Sequence, residues 1–253
     1  MGSVLHGRVL RGRVLHGGVL AGVGGSFSLA DITWATWWEA DYGVTLVDGM
    51  ASAWADRGSL GWHLSQATAG SRPEFIADAY GDKPCLRFVS KFLGRALSQI
   101  ADLYGSGTDV TVMAVFKSNA ANNTLLASVS LINRLVIHPP YGNGTIYIDT
   151  VNLSGGRLSV AAPAGYTGSL QVGTFRRVGA NMSIRRNGTQ LASRADASGE
   201  MASNTASFNV GTYSGYDWFS GDICAINIYA GALSESEMAA AEAYQMAKYG
   251  IAA

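Results

Sequence analysis

Two Asn-Gly dipeptides constrain this chain most. Asn143-Gly144 and Asn187-Gly188 each separate two short runs rich in β-branched and apolar residues. Asn-Gly is the preferred centre of a type I′ turn, whose twist matches that of paired antiparallel strands. One hairpin is therefore expected between residues 134–137 and 145–149, and another between 182–184 and 189–191. Further strands are expected over 111–117, 125–131, 207–211 and 224–229. Thr111 to Lys117 is nearly all apolar, as a central strand should be, and Cys224 to Tyr229 alternates. With 32 glycines and only 5 prolines in 253 residues, turns between short strands are abundant. Many short strands joined by turns predict a sandwich or barrel.

Composition removes several classes. Hydrophobic residues make up 48% and charged residues 14%, the reverse of a disordered chain. Eighteen basic residues cancel eighteen acidic ones, so the cationic surplus that displaces phosphate counterions is missing, and nucleic acid is not an expected partner. No charge-free apolar stretch reaches the length of a membrane span, so no membrane insertion is expected. Arg8, Arg11 and Arg13 interrupt anything resembling the core of a signal peptide. Cys85 and Cys224 sit in apolar surroundings and are expected as buried free thiols.

The first 25 residues obey a different rule. Four copies of x-Val-Leu-x-Gly run from Ser3 to Gly22, carrying Val4-Leu5, Val9-Leu10, Val14-Leu15 and Val19-Leu20. A period of five fits neither a helix nor a flat strand. Four such units are too few to bury a core of their own. Residues 1–25 are therefore expected to be an assembly arm that buries its Val-Leu pairs against other chains, and residues 26–253 one globular domain.

At the other end, Ser234-Glu235-Ser236-Glu237 is a capping box. The alanine-rich stretch after it predicts a helix from Met238 to Lys248, ending before Gly250.

These features carry a resemblance. Gly221-Asp222-Ile223 through Ile228-Tyr229, Ala232-Leu233-Ser234 with Glu237, and Lys248-Tyr249-Gly250-Ile251 resemble the closing block of concanavalin A-like (laminin-G-like) jelly rolls. Trp37-Trp38-Glu39-Ala40-Asp41, Gly43-Val44-Thr45, Ser52-Ala53-Trp54-Ala55-Asp56 with Gly58, Arg72-Pro73, Leu86-Arg87-Phe88 and Arg186-Asn187-Gly188 are similar to the family's front and hairpin segments. The resemblance covers about residues 31–251. It implies an all-β concanavalin A-like jelly-roll sandwich, with a short C-terminal helix and the N-terminal repeat arm added. It implies little about activity, because this sandwich hosts lectins, glucanases, lyases and spacers alike.

Glucanases on this scaffold carry Glu-x-Asp-x-x-Glu, which lines up the nucleophile and the general acid. Here Glu39 and Asp41 begin that motif and Val44 stands in its third position, so the match fails. Glu39 and Asp41 are expected at a strand end instead. Arg134 and His138 share a strand face, with Tyr147 able to oppose them, but no lyase pattern surrounds them, and His63 is isolated too. There is no serine-nucleophile elbow, no P-loop lysine beside Gly105-Ser106-Gly107, and no metal-binding cysteine pair. No catalytic residue is expected, and no cofactor. The calcium that laminin-G-like domains often hold would fall to Asp217 and Asp222, in a region not dense in acids.

Binding remains. Tyr213-Ser214-Gly215-Tyr216-Asp217-Trp218-Phe219 packs rings and an acid beside small residues, the composition of many carbohydrate sites. A glycan site is therefore expected at Tyr213, Tyr216, Asp217 and Trp218, on a loop at one end of the sandwich. The competing role for Trp218 or Phe219 is to plug that end. Trp34, Trp37 and Trp38 are expected in the core. Together these readings predict a non-enzymatic phage structural protein resident in the virion, as a capsid decoration or a fibre appendage. Its arm would bind a capsid or tail protein and form a homo-oligomer, with a trimer favoured, and its domain would bind cell-surface glycans. The alternative is a secreted carbohydrate-active enzyme or its binding module.

Overall fold

The structure is a computed structural model, and it describes residues 27–96, 103, 107–121, 124–128, 134–151, 154–201 and 207–253. The expected arm with its eight Val and Leu residues lies outside them. The chain enters through a 3-10 turn at Leu29–Asp31, closed by a capping box between Ser28 and Asp31. Strands β1 (Thr36–Glu39), β2 (Val44–Val47), β3 (Met50–Trp54), β4 (Leu64–Ser65), β5 (Glu74–Ile76), β6 (Cys85–Val89) and β7 (Leu93–Ala96) follow. The middle of the chain forms β8 (Val110–Ser118), β9 (Leu126–Ser128), β10 (Val136–His138), β11 (Thr145–Asp149) and β12 (Arg157–Ala161). Then come β13 (Leu170–Val178), β14 (Asn181–Arg186), β15 (Thr189–Arg194), β16 (Ser207–Val210) and β17 (Ser220–Tyr229), and last the helix α1 (Glu235–Lys248).

Two antiparallel layers emerge from the pairing. One runs β15-β14-β13-β8-β17, with β1 and β6 sharing the far edge of β17. The other runs β12-β11-β10-β9-β16-β7-β4-β3-β2. Strand β5 joins the layers at one side by pairing with both β3 and β6. The result is a jelly-roll sandwich, nearly closed into a barrel.

Strand β8 explains its own unbroken hydrophobicity. Val112, Ala114 and Phe116 point into the core between the sheets, while Met113 and Val115 point outward into a second apolar cluster. That second cluster lies under α1, which buries Met238, Ala241, Glu242, Gln245 and Met246 along one stripe. Of the two polar members of the stripe, Glu242 accepts from Arg185 at 2.9 and 3.0 Å, and Gln245 donates to Asn227 at 3.2 Å while its own side-chain oxygen is buried without a partner among the described residues. A bulge in β17 switches the strand between the clusters. Ile223 and Ile226 face the inter-sheet core, and Cys224 and Ala225 between them face the helix. Both cysteines are buried and free. At Gly221 the approach of β8 leaves no room for a side chain, because a Cβ would run into the Lys117 carbonyl.

The sequence-predicted helix and its cap are present. The Ser234 hydroxyl accepts from the Glu237 amide, and the Glu237 carboxylate accepts from the Ser234 amide. The hairpins differ in detail. Asn187 and Gly188 both have positive φ, 47° and 79°, as a type I′ turn requires. At the other hairpin only Gly144 has positive φ. Residues 139–144 form a wider loop there, with Pro139-Pro140 at its start and the Asn143 side chain capping the turn by accepting from the Thr145 amide. Trp38 stacks on Phe208 in the inter-sheet core and Trp34 lies under the helix, whereas Trp37 is only half-buried, with the Arg57 guanidinium 4.2 Å from its ring centroid. No helix among the described residues is long and apolar enough to cross a membrane.

Candidate functional site

The β10–β11 hairpin sets up the site by alternation. Ile137, Ile146 and Ile148 face the core, so His138, Tyr147 and Asp149 take the outer face of the same sheet. The register places His138 opposite Tyr147, and Asp149 opposite Arg157 on β12. Arg134, just before β10, reaches the same patch. The β16–β17 connection then folds over it and contributes Tyr213 and Asp217. Arg134, His138, Tyr147, Arg157, Tyr213 and Asp217, with Tyr141 and Asn143 from the hairpin loop, line a cleft of about 310 Å³, and Asp149 is buried beneath the arginines.

Asp149 organises the cleft floor. Its carboxylate is fully buried and shared by two arginines: Arg157 donates from Nε and Nη2 at 2.5 and 2.7 Å, and Arg134 from Nη2 at 3.1 Å. These bonds hold the Arg157 guanidinium above its usual pKa range, against the opposing effect of burial. Each arginine also lies over a ring, Arg157 4.5 Å from the Tyr147 centroid and Arg134 5.1 Å from that of Tyr213. Arg134 donates from Nη1 to the Tyr213 hydroxyl at 3.3 Å. The His138 Nδ1 meets the Thr124 hydroxyl at 3.1 Å, and its ring packs edge-on against Tyr141 at 5.0 Å. Asn143 donates to the Tyr147 hydroxyl at 2.6 Å. At the rim, the Tyr141 hydroxyl donates to Asp217 at 3.4 Å, and the charge of Asp217 raises the pKa of that phenol. The geometry therefore presents oriented donors, one rim acceptor and phenol groups around a space the size of a small sugar.

The overhanging loop divides the expected sugar-contact residues. Tyr213 and Tyr216 exchange backbone hydrogen bonds at 3.0 and 2.8 Å across a turn in which Ser214 and Gly215 have positive φ. That turn and the left-handed backbone of Asp217 aim Tyr213 and Asp217 into the cleft. Tyr216 points to solvent at 71% exposure. Trp218 faces the other way, with its ring centroid 6.0 Å from that of Phe92. Phe219 is the buried plug, packed edge-on against Phe88 and Phe116. The cleft also lies on a sheet face under the loop rather than on the loop's tip. Sequence reasoning noticed the face shared by Arg134, His138 and Tyr147 without joining it to the loop. It missed Tyr141, Asn143, Asp149 and Arg157. The polar Tyr147 and Asp149 alternating with Ile146 and Ile148 were the available signal.

The other candidate residues hold structural partners. Glu39, at the end of β1, is 2% exposed and bonded by Arg57 at 3.0 Å and Lys248 at 3.1 Å, so it ties the first strand to the last helix. Asp41 takes a second bond from Lys248 at 2.9 Å. Asp222 is buried and accepts from Arg87 and from the Tyr80 hydroxyl at 2.7 Å. That removes Asp222 from the pair the calcium expectation needed, because its oxygens already serve an arginine and a phenol. Among the described residues no group of three His, Cys, Asp or Glu side chains is placed to hold a metal.

With this geometry in hand, solved structures supply the comparison. The chain is similar to domain 4 of the extracellular arabinanase AbnA of Geobacillus stearothermophilus in complex with arabinotriose. The TM-score is 0.59 and the identity 14%, over 83% of this chain and 98% of that one. It is similar also to the botulinum neurotoxin serotype D binding domain (TM-score 0.60, 15% identity, 86% of this chain and 52% of that one). A second structure of that toxin domain, in complex with N-acetylneuraminic acid, matches at TM-score 0.57 and 17% identity, again over 86% of this chain and 52% of that one. These matches show a shared jelly-roll sandwich fold. This chain spans about half the length of the toxin domains it matches. No family model and no curated protein matches the sequence.

Proposed function

We propose that this jelly roll is a non-enzymatic glycan-binding module and that the cleft between Arg134, Tyr141, Arg157, Tyr213 and Asp217 is its sugar site. The observation that carries the reading is the pair of guanidiniums held in place by one buried carboxylate, opposite a rim carboxylate. Donors and an acceptor are thereby fixed before a sugar arrives, which lowers the ordering cost of binding. Sugar complexes of domain 4 of the arabinanase and of the toxin domain support a carbohydrate as the ligand.

Most glycoside hydrolases use two carboxyl groups flanking the scissile bond. The cleft has Asp217 at its rim, but Asp149 is closed off by both arginines and Glu39 is committed to Arg57 and Lys248. This supports binding without turnover.

In the fuller reading, the module is carried on a phage particle as a capsid decoration or fibre appendage. Residues 1–25 anchor it to a capsid or tail protein and gather copies into a homo-oligomer. The support is the x-Val-Leu-x-Gly repeat, whose apolar pairs need partners from other chains. Gathering copies would convert weak single-site affinity into avidity. A binding module of a carbohydrate-active enzyme is the second reading, favoured by the near-complete coverage of the arabinanase domain.

A glycan array followed by calorimetry on the best ligand tests the site. Asp217→Ala and Tyr213→Ala should each weaken binding by about 1–3 kcal/mol with the melting temperature kept. Unchanged affinity in both variants would move the site elsewhere.

A further inference from the structure

The charge balance of the cleft specifies the kind of sugar. Two guanidiniums, Arg134 and Arg157, face two carboxylates, Asp149 beneath them and Asp217 at the rim. We infer that the cleft selects uncharged sugars bearing neighbouring hydroxyls and discriminates against sugars bearing a carboxylate; this rests on the glycan-binding reading above.

Three observations lead there. First, the arginines are not free cations. Arg157 spends Nε and Nη2 on Asp149, and Arg134 spends Nη2 on Asp149 and Nη1 on the Tyr213 hydroxyl. The side-on edge of Arg157, Nε with Nη2, is already filled by the protein's own carboxylate. What Arg157 has left is one N–H of Nη2 and the pair on Nη1, and Asp149 already balances the charge they carry. Second, the open carboxylate is Asp217. One of its oxygens takes only the long Tyr141 bond, and it sits at partial exposure on the cleft rim. An ionised carboxylate accepts hydrogen bonds from hydroxyls and repels another carboxylate. Third, the remaining groups are the phenols of Tyr141, Tyr147 and Tyr213, the Asn143 amide and the His138 imidazole, whose Nδ1 is engaged with the Thr124 hydroxyl. The phenols and the amide carry no positive charge to offset the repulsion at Asp217. A diol satisfies both sides at once, with one hydroxyl donating to Asp217 and its neighbour accepting from a guanidinium.

The test uses the full chain and glycan pairs that differ by one carboxylate-bearing group: lactose against sialyllactose, and methyl galactoside against methyl galacturonoside. The neutral member should bind at least about tenfold more tightly at pH 7. Asp217→Asn should then shrink or reverse that preference, losing affinity for the neutral sugar while gaining for the acidic one. Acidic members binding as well as or better than neutral ones would overturn the inference and leave the glycan-binding reading standing. A preference for neutral sugars that Asp217→Asn leaves intact would also overturn it, since the discrimination would then come from elsewhere. Silence of both members and of a broad array would sink both readings together.

Discussion

Arg157 donates from Nε and Nη2 to the two oxygens of Asp149, at 2.5 and 2.7 Å, on a carboxylate with no solvent exposure. Replacing Asp149 by Asn leaves two guanidiniums without their counter-charge. Breaking a buried pair costs about 3–5 kcal/mol, and the partial exposure of both arginines puts the expected loss near the low end, about 3 kcal/mol. Urea unfolding measures it. A loss below about 1 kcal/mol would show that Asp149 is not the anchor of the cleft floor.

The loop residues separate by stability. Tyr216 touches solvent, so Tyr216→Ala should change unfolding free energy by no more than about 0.5 kcal/mol. Trp218 packs on Phe92 while half-buried, so Trp218→Ala should cost about 2 kcal/mol, less than a fully buried aromatic. Equal melting temperatures for the two variants would contradict this division.

Gly211 sits where the loop leaves β16, at φ 94°, and a Cβ there would meet the Lys91 carbonyl at 2.6 Å and the Phe88 ring. Gly211→Ala should therefore cost at least about 2 kcal/mol and displace Tyr213 and Asp217. Differential scanning calorimetry reads the first effect and the glycan assay the second. A variant as stable as the parent would refute the close approach.

The thiols give a pH signature. Burial pushes the Cys85 thiol up to about 12 from its ordinary 9.0, and it pushes Cys224 up as well. Burial also raises the phenols of Tyr80, Tyr166 and Tyr249. In the unfolded chain these groups ionise near their ordinary values, so the folded state then binds more protons than the unfolded one. Stability is accordingly complete below about pH 9 and falls as pH rises toward 12. Urea midpoints between pH 7 and 11 check the trend, and a midpoint still level at pH 11 would refute it. Native protein should resist iodoacetamide at pH 8.5 and react once unfolded.

The arm reading predicts association. Full-length protein should be oligomeric by light scattering, with a trimer expected, and a chain starting at Ser26 should be a monomer. A monomeric full-length protein would sink the proposal that the Val-Leu pairs of residues 1–25 are buried between copies.

Local rules in the sequence determined much of the molecule. Asn187-Gly188 set a type I′ hairpin because its two residues tolerate positive φ, and Ser234 with Glu237 started the helix because their side chains satisfy its free amides. The apolar run of β8 marked a strand buried on both faces. The cleft was a different matter. Arg134, Asp149, Arg157 and Asp217 are scattered over 84 residues, and none stands in a motif that names its partner. Only the register of β10, β11 and β12 put Asp149 beside Arg157, and only the fold of the β16–β17 loop brought Asp217 over them. The same loop turned Trp218 away from the cleft, against Phe92. Turn and cap preferences act over a few residues and can be read along the chain. A charge cluster depends on which strands lie side by side, and burial of the whole sandwich decides that.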